Sequence, residues 1–195
     1  MPLLRVCVFC GSSPGVRSAY AEAARHVGEA LLARGLELVY GGGNIGLMNV
    51  VAETVMQGGG RVTGVIPQGL ESREVAHRGL SELHVVSSMH ERKAMMASLS
   101  DAFISLPGGL GTFEETLEVM TWSQLGIHQK PCGLLNVEGF YDGLLSFLDH
   151  SVTEGFMRSE NKDRLIVAEE ATALLDALAD FIPDPTEQWL DPDAI

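Results

Sequence analysis

Three stretches of this 195-residue chain carry side chains able to do chemistry. In PGGLGTFEE (107–115), three glycines run into a helix start, so the backbone N–H groups of Gly108, Gly109, Leu110, Gly111 and Thr112 can form a nest suited to a phosphate. Glu114 and Glu115 follow in the next turn, where carboxylates would repel that anion unless they face something else. In HERKAMMASLS (90–100), Arg92 and Lys93 are adjacent cations in a chain whose only other lysines are Lys130 and Lys162. In LVYGGGNIG (38–46), a strand-like run ends in glycines.

Each stretch also has a purely structural reading. Thr112 followed three residues later by Glu115 fits a capping box, and Glu114 would then only complement the helix dipole. On a helical wheel Phe113, Leu117 and Met120 form one stripe, while Glu115 shares the opposite face with Val119 and Trp122. A helix apolar on two faces is buried on both or lies in a subunit contact, which puts Glu115 in a partly dry cleft. Arg92 shares a face with Met95, Met96 and Leu99, so it either snorkels past them or aims its guanidinium at a phosphate or carboxylate near the strand ends. Lys93 points about 100° away and could serve the same ligand from its rim. GGGNIG (41–46) matches G-x-G-x-x-G, with Gly42 and Gly43 as a backbone wall for a nucleotide or sugar phosphate, or as a tight turn and nothing more. An NAD site is disfavoured, because the motif follows the second strand and no acidic residue closes the third, which ends Val65-Ile66-Pro67.

Other chemistries are excluded by spacing. His90-Glu91 begins like H-E-x-x-H, but Ala94 stands at the second histidine position. Cys10 to Arg17 is too long for a cysteine-phosphatase loop, and neither a G-x-S-x-G elbow nor a Walker A loop occurs. Cys7 and Cys10 lie in one strand and point to opposite faces, and Cys132 has no mate, so all three read as buried thiols. The histidines lack ligand spacing, and no metal is expected.

The elements that must position these residues alternate regularly. Strand-like runs at 4–10, 36–43, 61–67, 81–89, 101–109, 130–136 and 164–170 are separated by helical stretches near 18–34, 46–57, 90–100, 112–125, 139–153 and 171–181. Continuous apolar strands alternating with helices indicate a Rossmann-like, doubly wound α/β fold with a parallel sheet covered on both faces. The glycine turns CGSSPG, GGGNIG and PGGLG all fall beyond strand carboxyl ends, where ligands bind in such sheets. Residues 1–182 read as one nucleotide-binding catalytic domain, and 183–195 as an acidic C-terminal tail. The net charge of −13 opposes nucleic-acid binding and requires any anionic substrate to be held by a local positive site. No membrane-spanning run or signal peptide is evident, so a cytoplasmic location is expected.

PGGLGTFEE together with MHERKAMM resembles the "lonely guy" (LOG) family, the cytokinin riboside 5′-monophosphate phosphoribohydrolases. CVFCGSSPG, LVYGGGNIGLMNVVA, GVIPQGL, SREVAH and TWSQLGIHQKP are similar to family segments in the same order, to about residue 170. Some relatives carry the label lysine decarboxylase, for which no pyridoxal-phosphate site is found. The resemblance implies cleavage of the N-glycosidic bond of an N6-modified AMP, with Arg92 and Glu115 catalytic and no cofactor. It further implies substrate contacts from Glu74, Lys93, Glu114, Thr121 and the Gly108–Thr112 backbone, with Ser12 and Ser13 touching ribose or phosphate. A homodimer or an assembly of dimers is expected. The alternatives are a general AMP nucleosidase and a non-catalytic carrier of a nucleotide or of molybdenum cofactor.

Overall fold

The computed structural model describes residues 3–70 and 76–183. Glu74 lies outside the described residues, as does the expected tail from residue 184 onward. Seven strands form one sheet: β1 (Arg5–Phe9), β2 (Glu37–Tyr40), β3 (Val62–Pro67), β4 (Glu82–Val86), β5 (Ala102–Ser105), β6 (Cys132–Leu135) and β7 (Leu165–Ala168). Their order is β4-β3-β2-β1-β5-β6-β7, and every pairing is parallel. The inner strands are apolar without alternation because both faces are covered. The edge strand β4 places Glu82 and His84 toward solvent, which discourages pairing with another chain.

The helices are α1 (Ser18–Ala33), α2 (Gly46–Gln57), α3 (Met89–Ser98), α4 (Leu110–Gln124), α5 (Asp142–Thr153), α6 (Ser159–Asp163) and α7 (Ala171–Ala179). On one face, Val6, Val8 and Cys10 of the β1 region meet Val27 and Leu31 of α1, Val51 of α2 and, farther along, Leu174 of α7. On the other face, Cys7 and Phe9 join Met96 of α3, Val119 of α4 and Leu148 of α5. The two cysteines of CVFC are therefore in separate cores. All three cysteines are free and buried, and burial pushes the Cys132 thiol up to about 12. Among the described residues, no helix is long and apolar enough to cross a membrane. Nor does any group of three acidic, cysteine or histidine residues there offer a metal site.

The seven expected strands and six expected helices are all present; α6 is an addition, too short and too polar for its period to show. Two local expectations change. The helix placed near 112–125 starts at Leu110, with extended Gly109 as its N-cap and no side-chain cap. Thr112 and Glu115 are then both inside the helix and form no capping box. A side-chain cap of that kind is built instead at α3, where Ser88 Oγ accepts the Glu91 N–H at 3.1 Å and Glu91 reaches back one residue past the cap. The Glu91 carboxylate accepts the Ser87 hydroxyl and amide, which lowers its pKa.

One consequence of packing is acid sensitivity. His128 sits against Phe103, with ring centroids 5.2 Å apart, and burial, then the nearby Lys130 ammonium, hold its pKa down to about 4. Below the ordinary histidine range the unfolded chain binds a proton that the folded chain refuses, so stability falls as pH drops from about 6.5 toward 4. The full effect is on the order of 3 kcal/mol. Urea unfolding at pH 7 and pH 4.5 should show a smaller pH-dependent loss in His128→Asn, which keeps an acceptor for the Lys130 amide. An equal loss in both proteins would assign the acid sensitivity elsewhere.

Candidate active site

The chain winds outward from β1 through β2, β3 and β4, then returns to lay β5 on the other side of β1. The β1 and β5 carboxyl ends thus flank the point where strand order reverses, and a crevice opens there because their following loops depart to opposite faces. The two loops touch: Gly11 N–H donates to Pro107 O at 3.1 Å, and Leu106 N–H to Phe9 O at 2.9 Å. A Cβ on Gly108 would collide with the Thr112 hydroxyl and lie 3.0 Å from Gly11 N, so this approach requires glycine.

A cleft of about 190 Å³ occupies the crevice, lined among others by Gly11, Ser12, Gly41, Arg92, Glu115 and the start of α4. At that start, Gly109, Leu110, Gly111 and Thr112 all line the cleft. The first N–H groups of a helix have no acceptor within it and carry the positive end of its dipole, so this wall can hold an anion. The opposite wall and floor are soft and apolar, from Cys10, Met48 and Met96. Burial, reinforced by the Glu115 charge, raises the Cys10 pKa and keeps its thiol protonated.

Arg92 and Glu115 face each other across this space. Arg92 is in the second turn of α3, and its guanidinium is carried under the ends of β2 and β3. There Nε donates to Val65 O and Nη2 to Gly41 O, both at 3.1 Å. Its Nη1 lies 3.8 Å from Glu115 Oε1, with side chains only 6% and 11% exposed. A Cβ on Gly41 would fall on the guanidinium, so glycine at the end of β2 is what lets the cation in. Glu115 belongs to the α4 face turned toward the sheet, together with Thr112, Thr116, Val119 and Ser123. The expected stripe of Phe113, Leu117 and Met120 is split: Phe113 and Met120 pack at the flank, and Leu117 is 40% exposed. Hydroxyls replace it at the sheet, where Ser105 Oγ and Thr116 Oγ1 are 2.6 Å apart and Thr116 also donates to Thr112 O.

Of the residues singled out from sequence, Arg92, Glu115, Ser12, Gly109, Leu110, Gly111 and Thr112 come together in the cleft. Gly108 supports it from behind. Ser13 is exposed and its hydroxyl accepts the Gly15 N–H. Gly42 and Gly43 instead hold the segment after β3: Gly42 O accepts His77 N–H at 3.0 Å, and Gly43 bridges to Ala76. Thr121 is exposed, about 13 Å of helix rise beyond Thr112, so it does not reach the cleft. Lys93 and Glu114 are outside the lining as well, because Lys93 is bonded to Glu114 and Glu118. Sequence reasoning missed Gly11, Gly41, Met48 and Met96; the strand-end position of the first two was the available signal.

The family model described as "Possible lysine decarboxylase" matches residues 48–178. A rice protein (Oryza sativa subsp. japonica) named probable cytokinin riboside 5′-monophosphate phosphoribohydrolase LOGL5 is 54% identical over 93% of this chain and 74% of its own. The Arabidopsis thaliana phosphoribohydrolase LOG2 is 51% identical over 92% of this chain and 84% of its own. The chain belongs to the LOG family. None of the chain's three lysines lines this cleft, where a Schiff base would need one. Solved structures share the LOG-like fold at lower identity. The molybdenum cofactor binding protein of Rippkaea orientalis superposes with a TM-score of 0.67 at 20% identity, over 90% of this chain and 95% of the other. DNA processing protein A of Helicobacter pylori does so at 0.57 and 15% identity, over 91% and 80%. Both likenesses concern the fold alone.

Proposed function

We propose that this LOG family member hydrolyses the N-glycosidic bond of cytokinin riboside 5′-monophosphates, releasing the free base and ribose 5-phosphate. The carrying observation is the buried Glu115 carboxylate set one helical turn below an amide-lined anion site and balanced by Arg92. The amides of Gly109–Thr112 hold the 5′-phosphate, which leaves the ribose beside Glu115. As the bond from C1′ to the base lengthens, positive charge grows on the ribose, and a fixed carboxylate stabilises that state over the neutral ground state. The C1′–N electron pair leaves with the base, whose freed nitrogen takes up a proton from solvent, while water adds to C1′ and gives up its proton to Glu115, which returns it to solvent, so one proton is consumed and one released. Arg92 keeps Glu115 aimed, and the apolar floor at Met48 and Met96 suits a flat base.

The site reads as completed by a second copy. About 190 Å³ is small beside the roughly 300 Å³ at which small-molecule sites begin. Leu110, Leu117 and Thr121 share one outward strip of α4, with Leu110 86% exposed and Leu117 40%. Pairing of two such strips covers apolar surface and brings Thr121 toward a partner's cleft, which supports a homodimer. The buried free thiols suit the reducing cytoplasm.

The test is product release, by chromatography, from N6-isopentenyl-AMP, AMP and the unphosphorylated N6-isopentenyl riboside. Free base from the first alone is expected. Comparable turnover of AMP would make the protein a general nucleosidase. Binding of both nucleotides with no cleavage would make it a carrier.

A further inference from the structure

Arg92 and Glu115 are each followed or preceded by a charged neighbour that turns away from the cleft. Lys93, next along α3, is buried with its side chain 9% exposed, and its Nζ donates to Glu118 Oε1 at 2.9 Å and to Glu114 Oε1. Glu114 precedes Glu115 on α4, and Glu118 lies one turn beyond. Burial alone would lower the Lys93 pKa, but the two carboxylates outweigh it and raise the value. The ammonium is therefore committed to α4.

This link spans a seam in the architecture. Helix α3 rests on β3 and β4, whereas α4 rests on β1, β5 and β6. The Arg92–Glu115 pair crosses the same seam with its charged atoms 3.8 Å apart, longer than the roughly 2.8 Å of a direct charge-assisted hydrogen bond. A separation of that kind depends on where two independently seated helices stand.

We infer that Lys93, Glu114 and Glu118 form an ion-pair clamp that sets the spacing of the catalytic pair, making Lys93 a positioning residue and not a substrate contact. The inference rests on the reading that Arg92 and Glu115 act in catalysis. It is tested with Lys93→Met, Lys93→Arg, Glu118→Gln and the double variant Lys93→Met/Glu118→Gln, using N6-isopentenyl-AMP kinetics, AMP binding by calorimetry and crystal structures. A positioning error of about an ångström is expected to lower kcat about 10-fold or more in Lys93→Met and Glu118→Gln, with KM and AMP affinity within about 3-fold. The double variant should be no worse than the poorer single one, since both break the same link. Lys93→Arg should recover much of kcat. A large rise in KM for Lys93→Met with kcat retained, and a neutral Glu118→Gln, would overturn the clamp and return Lys93 to the substrate. Glu118→Gln is nearly isosteric, so it reads the clamp even if Lys93→Met does not fold. The crystal structures judge the clamp without turnover: the Arg92 Nη1–Glu115 Oε1 separation should widen in the variants, and an unchanged value overturns it. Wild-type protein that cleaves nothing would sink the catalytic reading alone.

Discussion

Glu115→Gln is expected to lower kcat on N6-isopentenyl-AMP by about 10²–10⁴-fold, the range for loss of a positioned acid–base group, while nucleotide binding survives. The amide has nearly the shape of the carboxylate, so the packing of Thr112, Thr116 and Val119 against the sheet is retained. What disappears is the negative charge facing the ribose, which matters in the transition state and little in the ground state. The loss should therefore fall on kcat and leave KM nearly unchanged. Arg92 keeps its bonds to Val65 O and Gly41 O, so the variant stays folded. Steady-state kinetics with calorimetric AMP binding measures this. Retention of more than a tenth of wild-type kcat would remove Glu115 from the mechanism.

Arg92→Met should be harmful in both stability and rate. Methionine fills part of the volume but leaves Glu115 as a buried charge without its guanidinium, and takes the Arg92 donors away from two strand-end carbonyls. Breaking a buried ion pair from one side costs about 3–5 kcal/mol, which urea unfolding at neutral pH would register directly. Activity is expected to fall about as far as in Glu115→Gln. Combining the two changes should add little to the kinetic loss, because the residues act as one unit. The stability loss should instead shrink in the double variant, since the neutral amide put in place of Glu115 no longer loses an ion pair when the guanidinium is gone. Arg92→Lys supplies a point charge without the planar fork, so it cannot serve Gly41, Val65 and Glu115 together and should rescue only in part. A fully active Arg92→Met would assign the arginine to structure alone.

Much of this architecture was legible before the fold. The inner parallel strands are nearly continuous apolar runs and the regular strand–helix alternation brings out the edges, so all seven could be read, and glycine after β1, β2 and β5 marked the ligand side of the sheet. The start of α4 was misplaced because glycine caps a helix through its backbone and offers no side-chain signal. The Ser88-x-x-Glu91 spacing that does cap a helix was equally present in the sequence, but spacing alone does not separate it from Thr112-x-x-Glu115. Thr121, Gly42 and Gly43 share motifs with the cleft without lining it, since motif membership does not specify direction.

By itself, then, the sequence determined the sheet, the placing of three glycine turns at its carboxyl edge, and the family with its activity class. Only the tertiary structure decided how the charges are shared out: Arg92 to Gly41, Val65 and Glu115, and Lys93 to Glu114 and Glu118. Adjacent residues on a helix differ by about 100° in direction, so which of them enters a cleft depends on the rotation of the whole helix. That rotation is set by packing against strands from distant parts of the chain, and no local pattern encodes it.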